Sequence, residues 1–184
     1  MLKSFRPVLT FFLVVLYLTG LWVGSWTFRP PGLSEHISAE HGIKLVLPRS
    51  LEGWHLLFSP DPNQVFKATT RAALATLTVE KTGAPATLSL ETYSDQVEAA
   101  LRPHLPGYDL QIRAPERFGR LSGFTTIKEY TGRFYGVPLR RQRLDFYFTH
   151  RGSIYHIQYD VPEKLLTYFR PDYRLIITGL RVEK

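Results

Sequence analysis

The chain has 184 residues, a formal net charge of +7 and no cysteine. This length leaves room for one domain of about 140 residues after an apolar start, enough to bury a core without staples. The missing cysteines exclude a disulfide framework, a thiolate metal site and lipid attachment through an N-terminal cysteine. Setting Lys3 and Arg6 aside leaves +5, and no RNP, zinc-finger or helix-turn-helix signature accompanies that charge, so nucleic acid is not expected as a partner.

Val8 to Phe28 carries no charged side chain, with Lys3 and Arg6 before it and Arg29-Pro30-Pro31 after it. As a helix it would run about 31 Å, against about 30 Å of hydrocarbon in a bilayer. Val23-Gly24-Ser25 and Leu18-Thr19-Gly20 each offer a signal-peptidase site. Trp22 and Trp26 favour retention, because tryptophan settles at the membrane–water interface. We therefore expect residues 1–28 to form a transmembrane anchor or uncleaved signal with a cytoplasmic N-terminus. The lipid bilayer is its partner, and the following domain lies outside the cytoplasm. Gly20 and Gly24 form a G-x-x-x-G pair, too short a motif to assign helix pairing.

Residues 29–41 read as a tether, since Pro30, Pro31 and Gly32 block a helix and the polar residues offer no core face. The domain is expected over 42–184. "GIKLVLP" and "WHLLF" read as strands, "SPDPN" as a turn, and "VFKATT" and "ALATLTVEKT" as further strands. In "SLETYSDQVEAALRPHLPG" the period changes to that of a helix. Tyr93, Val97 and Leu101 share a face, Ser89 suits the N-cap, and Pro103 and Pro106-Gly107 end the pattern.

From Tyr108 the period returns to two. "YDLQIR", "GFTTIKEYTGRF", "PLRRQRLDFYFTH" and "SIYHIQYD" read as strands, the last three forming a meander with turns at Tyr135-Gly136 and Arg151-Gly152. Leu144, Phe146 and Phe148 share one face, Arg141, Arg143, Asp145 and Tyr147 the other. The first face is expected to pack and the second to be wet. "PEKLLTYFRPDYRLIITGLRV" reads as a C-terminal helix broken or kinked at Pro171.

The search for chemistry is largely negative. His36, His41, His55, His104, His150 and His156 show no metal-ligand spacing, and calcium, Walker, G-x-S-x-G and dinucleotide-binding patterns are absent. No metal, cofactor or catalytic residue is expected. Arg133, Arg140, Arg141 and Arg143 make the densest polar cluster, partly neutralised by Asp145 and Glu129. Arginine forks suit carboxylates and phosphates. Arg141, Arg143 and Tyr147, on the presumed wet face, are the expected partner-binding residues.

The stretches "IKLVLPRSLEGW", "SGFTTIKEYTG", and "SIYHIQYDVPEKL" followed by "IITGLRV" resemble the PsbP-like families, which include the extrinsic photosystem II protein and bacterial relatives such as the DcrB-like proteins. The resemblance covers roughly 42–182. It implies an α+β fold, a central antiparallel sheet with helices on both faces, here preceded by one transmembrane helix. It also implies docking to, or assembly of, a membrane protein complex without catalysis. A secreted or periplasmic hydrolase or small-ligand-binding protein on the same sandwich is the alternative.

Overall fold

The computed structural model describes residues 32–49, 53–59, 61–70 and 72–183. In chain order the elements are β1 (Gly32–Ser38), β2 (Ile43–Arg49), β3 (Trp54–Leu56), β4 (Gln64–Thr70), β5 (Thr76–Pro85), α1 (Leu90–Leu101), β6 (Asp109–Phe118), β7 (Leu121–Phe134), β8 (Val137–His150), β9 (Ser153–Pro162), α2 (Leu166–Gly179) and β10 (Arg181–Val182). Seven strands form an antiparallel sheet in the order β3-β4-β5-β9-β8-β7-β6, and β1-β2-β10 form a second, smaller sheet.

The meander is set by its two turns. Tyr135 and Gly136 (φ 48° and 83°) join β7 to β8, and Arg151 and Gly152 (φ 46° and 73°) join β8 to β9. Positive φ at both central positions is the type I′ geometry, whose twist matches that of the flanking strands. These turns fix the register: Thr126 lies opposite Asp145, Lys128 opposite Arg143 and Tyr147 opposite His156.

The main core lies on one face of the large sheet. Leu144, Phe146 and Phe148 are buried there with Leu77, Val79, Ile157 and Tyr159, under Phe169, Ile176 and Ile177 of α2 and Ile43, Leu45 and Leu47 of β2. Burying each such side chain is worth about 1.5–3 kcal/mol. Packing is tight enough to require glycine at 123, where a Cβ would lie 2.3 Å from the Tyr147 carbonyl oxygen and 2.4 Å from the Phe146 ring. The opposite face carries α1. Ser89 caps it, its Oγ accepting from the Thr92 amide at 3.0 Å.

Three expectations need correction. Gly32–Ser38, expected within a tether, is a strand. Leu33 and Ile37 point to solvent (53% and 61% exposed) while Ser34 and Ser38 are half-buried. The strand is held by its pairing beside β2 rather than by a buried apolar face. Helix α2 continues through Pro171, which rules out the expected break at the proline. The proline lacks the N–H that would bond the Thr167 carbonyl, a local loss that the buried face of α2 offsets.

The third correction concerns the sheet face of Arg141, Arg143 and Tyr147. It is not wet: α1 covers its middle, where Tyr147 is fully buried against Tyr93, and Arg141, 7% exposed, is bonded to Asp160 and the Leu74 carbonyl. No helix among the described residues is long and apolar enough to cross a membrane. The expected anchor at Val8–Phe28, with Trp22 and Trp26, lies outside the described residues.

Candidate functional site

Three features of the domain invite a functional reading: a buried charged seam, a projecting hairpin tip and an open cleft. The seam lies between α1 and the sheet. Strand alternation turns Thr126 and Lys128 of β7, Arg143 and Asp145 of β8, and His156 of β9 toward α1, which contributes Glu98. Lys128 Nζ sits between carboxylates, 2.7 Å from Asp145 Oδ2 and in contact with Glu98 Oε1. Thr126 Oγ1 donates to Glu98 Oε1 at 2.9 Å, and Tyr108 donates to Glu98 Oε2. His156 continues the chain, its Nε2 2.6 Å from Asp145 Oδ1 and its Nδ1 3.1 Å from Glu80 Oε1.

Burial alone would push the Asp145 carboxyl up. Arg143, His156 and Lys128 outweigh it and hold the group well below the usual carboxylate range. Glu80 is also held below its ordinary value, chiefly by its hydrogen bond with His156. Tyr147 stacks on the His156 ring at 4.4 Å and meets Tyr93 of α1 edge-on at 5.6 Å. Burial pushes its hydroxyl far up, so it stays protonated, and that hydroxyl has no hydrogen-bond partner among the described residues.

Lys128 and Asp145 are fully buried, so no substrate atom reaches either. The seam is a fastener for α1. It joins a histidine to an aspartate, but no serine or threonine hydroxyl is bonded to His156 among the described residues. His36 Nε2 does lie 3.2 Å from Ser34 Oγ on β1, yet without a carboxylate on the ring among the described residues. Neither arrangement completes a nucleophile, base and orienting acid. No group of three or more metal-ligating side chains occurs among the described residues.

The expected partner-binding residues are therefore engaged internally. Arg143 Nε binds Asp145 at 3.0 Å. Arg141 Nε binds Asp160 Oδ1 at 2.6 Å and its Nη2 donates to the Leu74 carbonyl, while Tyr130 donates to Asp160 Oδ2. This Arg141–Asp160–Tyr130 group instead anchors the base of a projecting ribbon. Pairing of β8 with β9 stops at Arg141 opposite Pro162, whereas β7 and β8 continue together to Phe134 opposite Val137. At the tip, Tyr135 is 87% exposed and Val137 65%, with Arg133 exposed beside them.

The cleft lies on the other sheet face. Helix α2 packs over β2 and β9 and leaves part of β6, β7 and β8 uncovered. The resulting space of about 480 Å³ is floored by Ile127, Leu144 and Tyr159, walled by Ile112 of β6 and by Leu166 and Tyr173 of α2, and edged by Arg170 and Arg174. Glu129 and Glu116 also border it, but both are engaged: Glu129 Oε2 pairs with Arg140 Nη2 at 2.8 Å and Glu116 Oε2 accepts from Thr125 Oγ1 at 2.6 Å.

Sequence reasoning misses Glu98, Lys128, His156 and the cleft arginines. The register signal for the strand residues is present in the two turns; that α1 covers their face is not visible from alternation alone.

No family model matches the chain, and no curated protein matches it by sequence. Solved structures do match. The cyanobacterial PsbP protein CyanoP from Synechocystis aligns with a TM-score of 0.63 at 11% identity, over 85% of this chain and 95% of its own. A variant of the protein Mog1 aligns at 0.55 and 11% identity, over 82% and 96%. The protein of unknown function PA94 from Pseudomonas aeruginosa aligns at 0.50 and 12% identity, over 83% and 98%. At such identities the likeness is one of fold. The seven-stranded antiparallel sheet with a helix on each face is the PsbP-like fold.

Proposed function

We propose that the chain is a non-catalytic, extracytoplasmic module, held at a membrane by its N-terminal segment, that docks on a membrane protein complex. The observation that supports this reading is the β7–β8 tip. Tyr135 adopts a left-handed backbone conformation, which costs a non-glycine residue about 1–2 kcal/mol, and its ring is 87% exposed. Folding recovers little from that placement beyond an edge contact with Phe134. The type I′ turn accounts for the backbone conformation, as it does at Arg151, so the exposed aromatic is what points to use in recognition. Tyrosine and arginine dominate interface hot spots, and Arg133 stands beside the exposed ring. The partly buried Arg141–Asp160 pair holds the ribbon base, so the tip is presented on a rigid support.

The test replaces Tyr135 and Val137 together with serine in the full-length protein in its native membranes. Both side chains are exposed, so thermal stability should move by no more than about 0.5 kcal/mol per site. Recovery of an integral membrane protein by crosslinking and purification should fall several-fold. Unchanged recovery with an unchanged melting curve would overturn docking through the tip.

A further inference from the structure

We infer that the cleft beneath α2 binds a single-chain amphiphile with an anionic head, its hydrocarbon on the apolar floor and its head between Arg170 and Arg174. This inference does not depend on the docking reading above, because the cleft and the tip share no residue.

The cleft meets the composition of a small-molecule site. Its volume of about 480 Å³ falls within the range of about 300–1,000 Å³ usual for such sites. Its apolar residues are not all closed off by packing: Ile112 is 49% exposed, and Ile127, Leu166 and Tyr173 are half-buried. An alkyl chain lying along them would remove this surface from water, a gain of about 25 cal/mol per Å².

Charge supplies the selectivity. Leu166, Arg170, Tyr173 and Arg174 recur at three- and four-residue spacings, so one stripe of α2 carries both the apolar wall and the two cations. Arg170 and Arg174 stand at i and i+4, where like charges destabilise a helix by a few tenths of a kcal/mol. Arg113, Arg140, Arg141 and Arg143 of the sheet each have a carboxylate within 4 Å. Among the described residues Arg170 and Arg174 have no such ion pair; of the two glutamates at the cleft, Glu129 is paired with Arg140, and Glu116 keeps its charge while accepting a hydrogen bond from Thr125. An anionic head would relieve the repulsion and match the planar forks of both guanidinium groups. A cationic or neutral head would do neither.

The experiment uses the full chain in phosphatidylcholine nanodiscs, titrated with hexyl phosphate and corrected with empty nanodiscs. Calorimetry should report saturable binding at one site per chain, and methyl NMR should place the shifts at Ile112, Ile127, Leu144 and Leu166. Reversing both arginines (Arg170→Glu, Arg174→Glu) should weaken binding at least about tenfold, since a charge-assisted hydrogen bond is worth about 1.5–3 kcal/mol. Hexyltrimethylammonium should fail to compete, and inorganic phosphate should compete at least about tenfold more weakly than hexyl phosphate.

If charge reversal alters the melting curve, Arg170→Gln with Arg174→Gln preserves size and polarity and should show the same tenfold loss. The Tyr135 and Val137 serine variant should bind hexyl phosphate as the wild type does, which separates this site from the docking tip. Non-saturable uptake, methyl shifts outside the cleft, or affinity that survives both arginine pairs would overturn the inference. Equal affinity for inorganic phosphate would overturn the role of the apolar floor.

Discussion

The two faces of the seven-stranded sheet are both covered by a helix, yet they are built from opposite chemistry. Under α2 the contacts are hydrocarbon and aromatic, from Leu144, Phe146 and Phe148 to Phe169 and Ile176. Under α1 the centre is ionic, with Glu98, Lys128, Asp145 and His156 all buried. The apolar face tolerates a gap, because a cleft there exposes hydrocarbon at modest cost. The ionic face tolerates none, because a buried charge must keep every partner. That difference explains why the open space lies beneath α2 and why the polar strand positions beneath α1 cannot serve as a docking surface.

The largest effect should come from breaking the ionic face. Lys128→Met leaves Glu98 and Asp145 buried without their shared cation. Removing one member of such a group costs about 3–5 kcal/mol. Urea unfolding should show the midpoint falling accordingly, with α1 the first element to lose amide protection. A loss below about 1 kcal/mol would mean that the seam is hydrated and contributes little.

A smaller effect should follow from acid. The carboxyls of Asp145 and Glu80 are lowered in the folded chain, so the unfolded chain takes up protons first as pH falls. Their stabilisation is full above about pH 5 and declines below it, as the unfolded carboxyls, with an ordinary pKa of about 4, take up protons. Asp172 opposes this, since burial raises it despite the hydrogen bond donated by Trp54, and it favours the folded state as pH falls. The lowering at Asp145, fully buried among Arg143, His156 and Lys128, is the largest of the three shifts and leaves a net loss. Urea midpoints measured from pH 7 to pH 3 should fall on the acid side, and a rise there would contradict the sign.

Much of this architecture is legible in the sequence. Tyr135-Gly136 and Arg151-Gly152 locate both turns, and with them the register that sets Lys128 beside Arg143 and Tyr147 beside His156. Alternation in β8 correctly places Leu144, Phe146 and Phe148 together in the core. It misleads on the other side because alternation alone equates a polar face with a solvated one. A helix on each face closes the centre of β8 on both sides, and α1 brings Glu98 to meet Lys128 there, which alternation does not report.

The strand at Gly32–Ser38 is illegible for a related reason: it is held by backbone pairing, and its apolar Leu33 and Ile37 face outward. The cleft is invisible because it depends on where α2 crosses the sheet, which periodicity does not report. In the sequence its arginines look like an ordinary polar face of a C-terminal helix. The tip reads as a turn but not as a surface, because its projection depends on how far β9 accompanies β8.

The central claim is that contact with a partner occurs at the projecting tip while the α1 side is closed and structural. A photoreactive phenylalanine analogue placed at Tyr135, and separately at the exposed Gln96 of α1, tests it in native membranes. The account predicts a discrete adduct with an integral membrane protein from position 135 and none from position 96. Adducts from position 96 alone would contradict it and move the docking surface to α1.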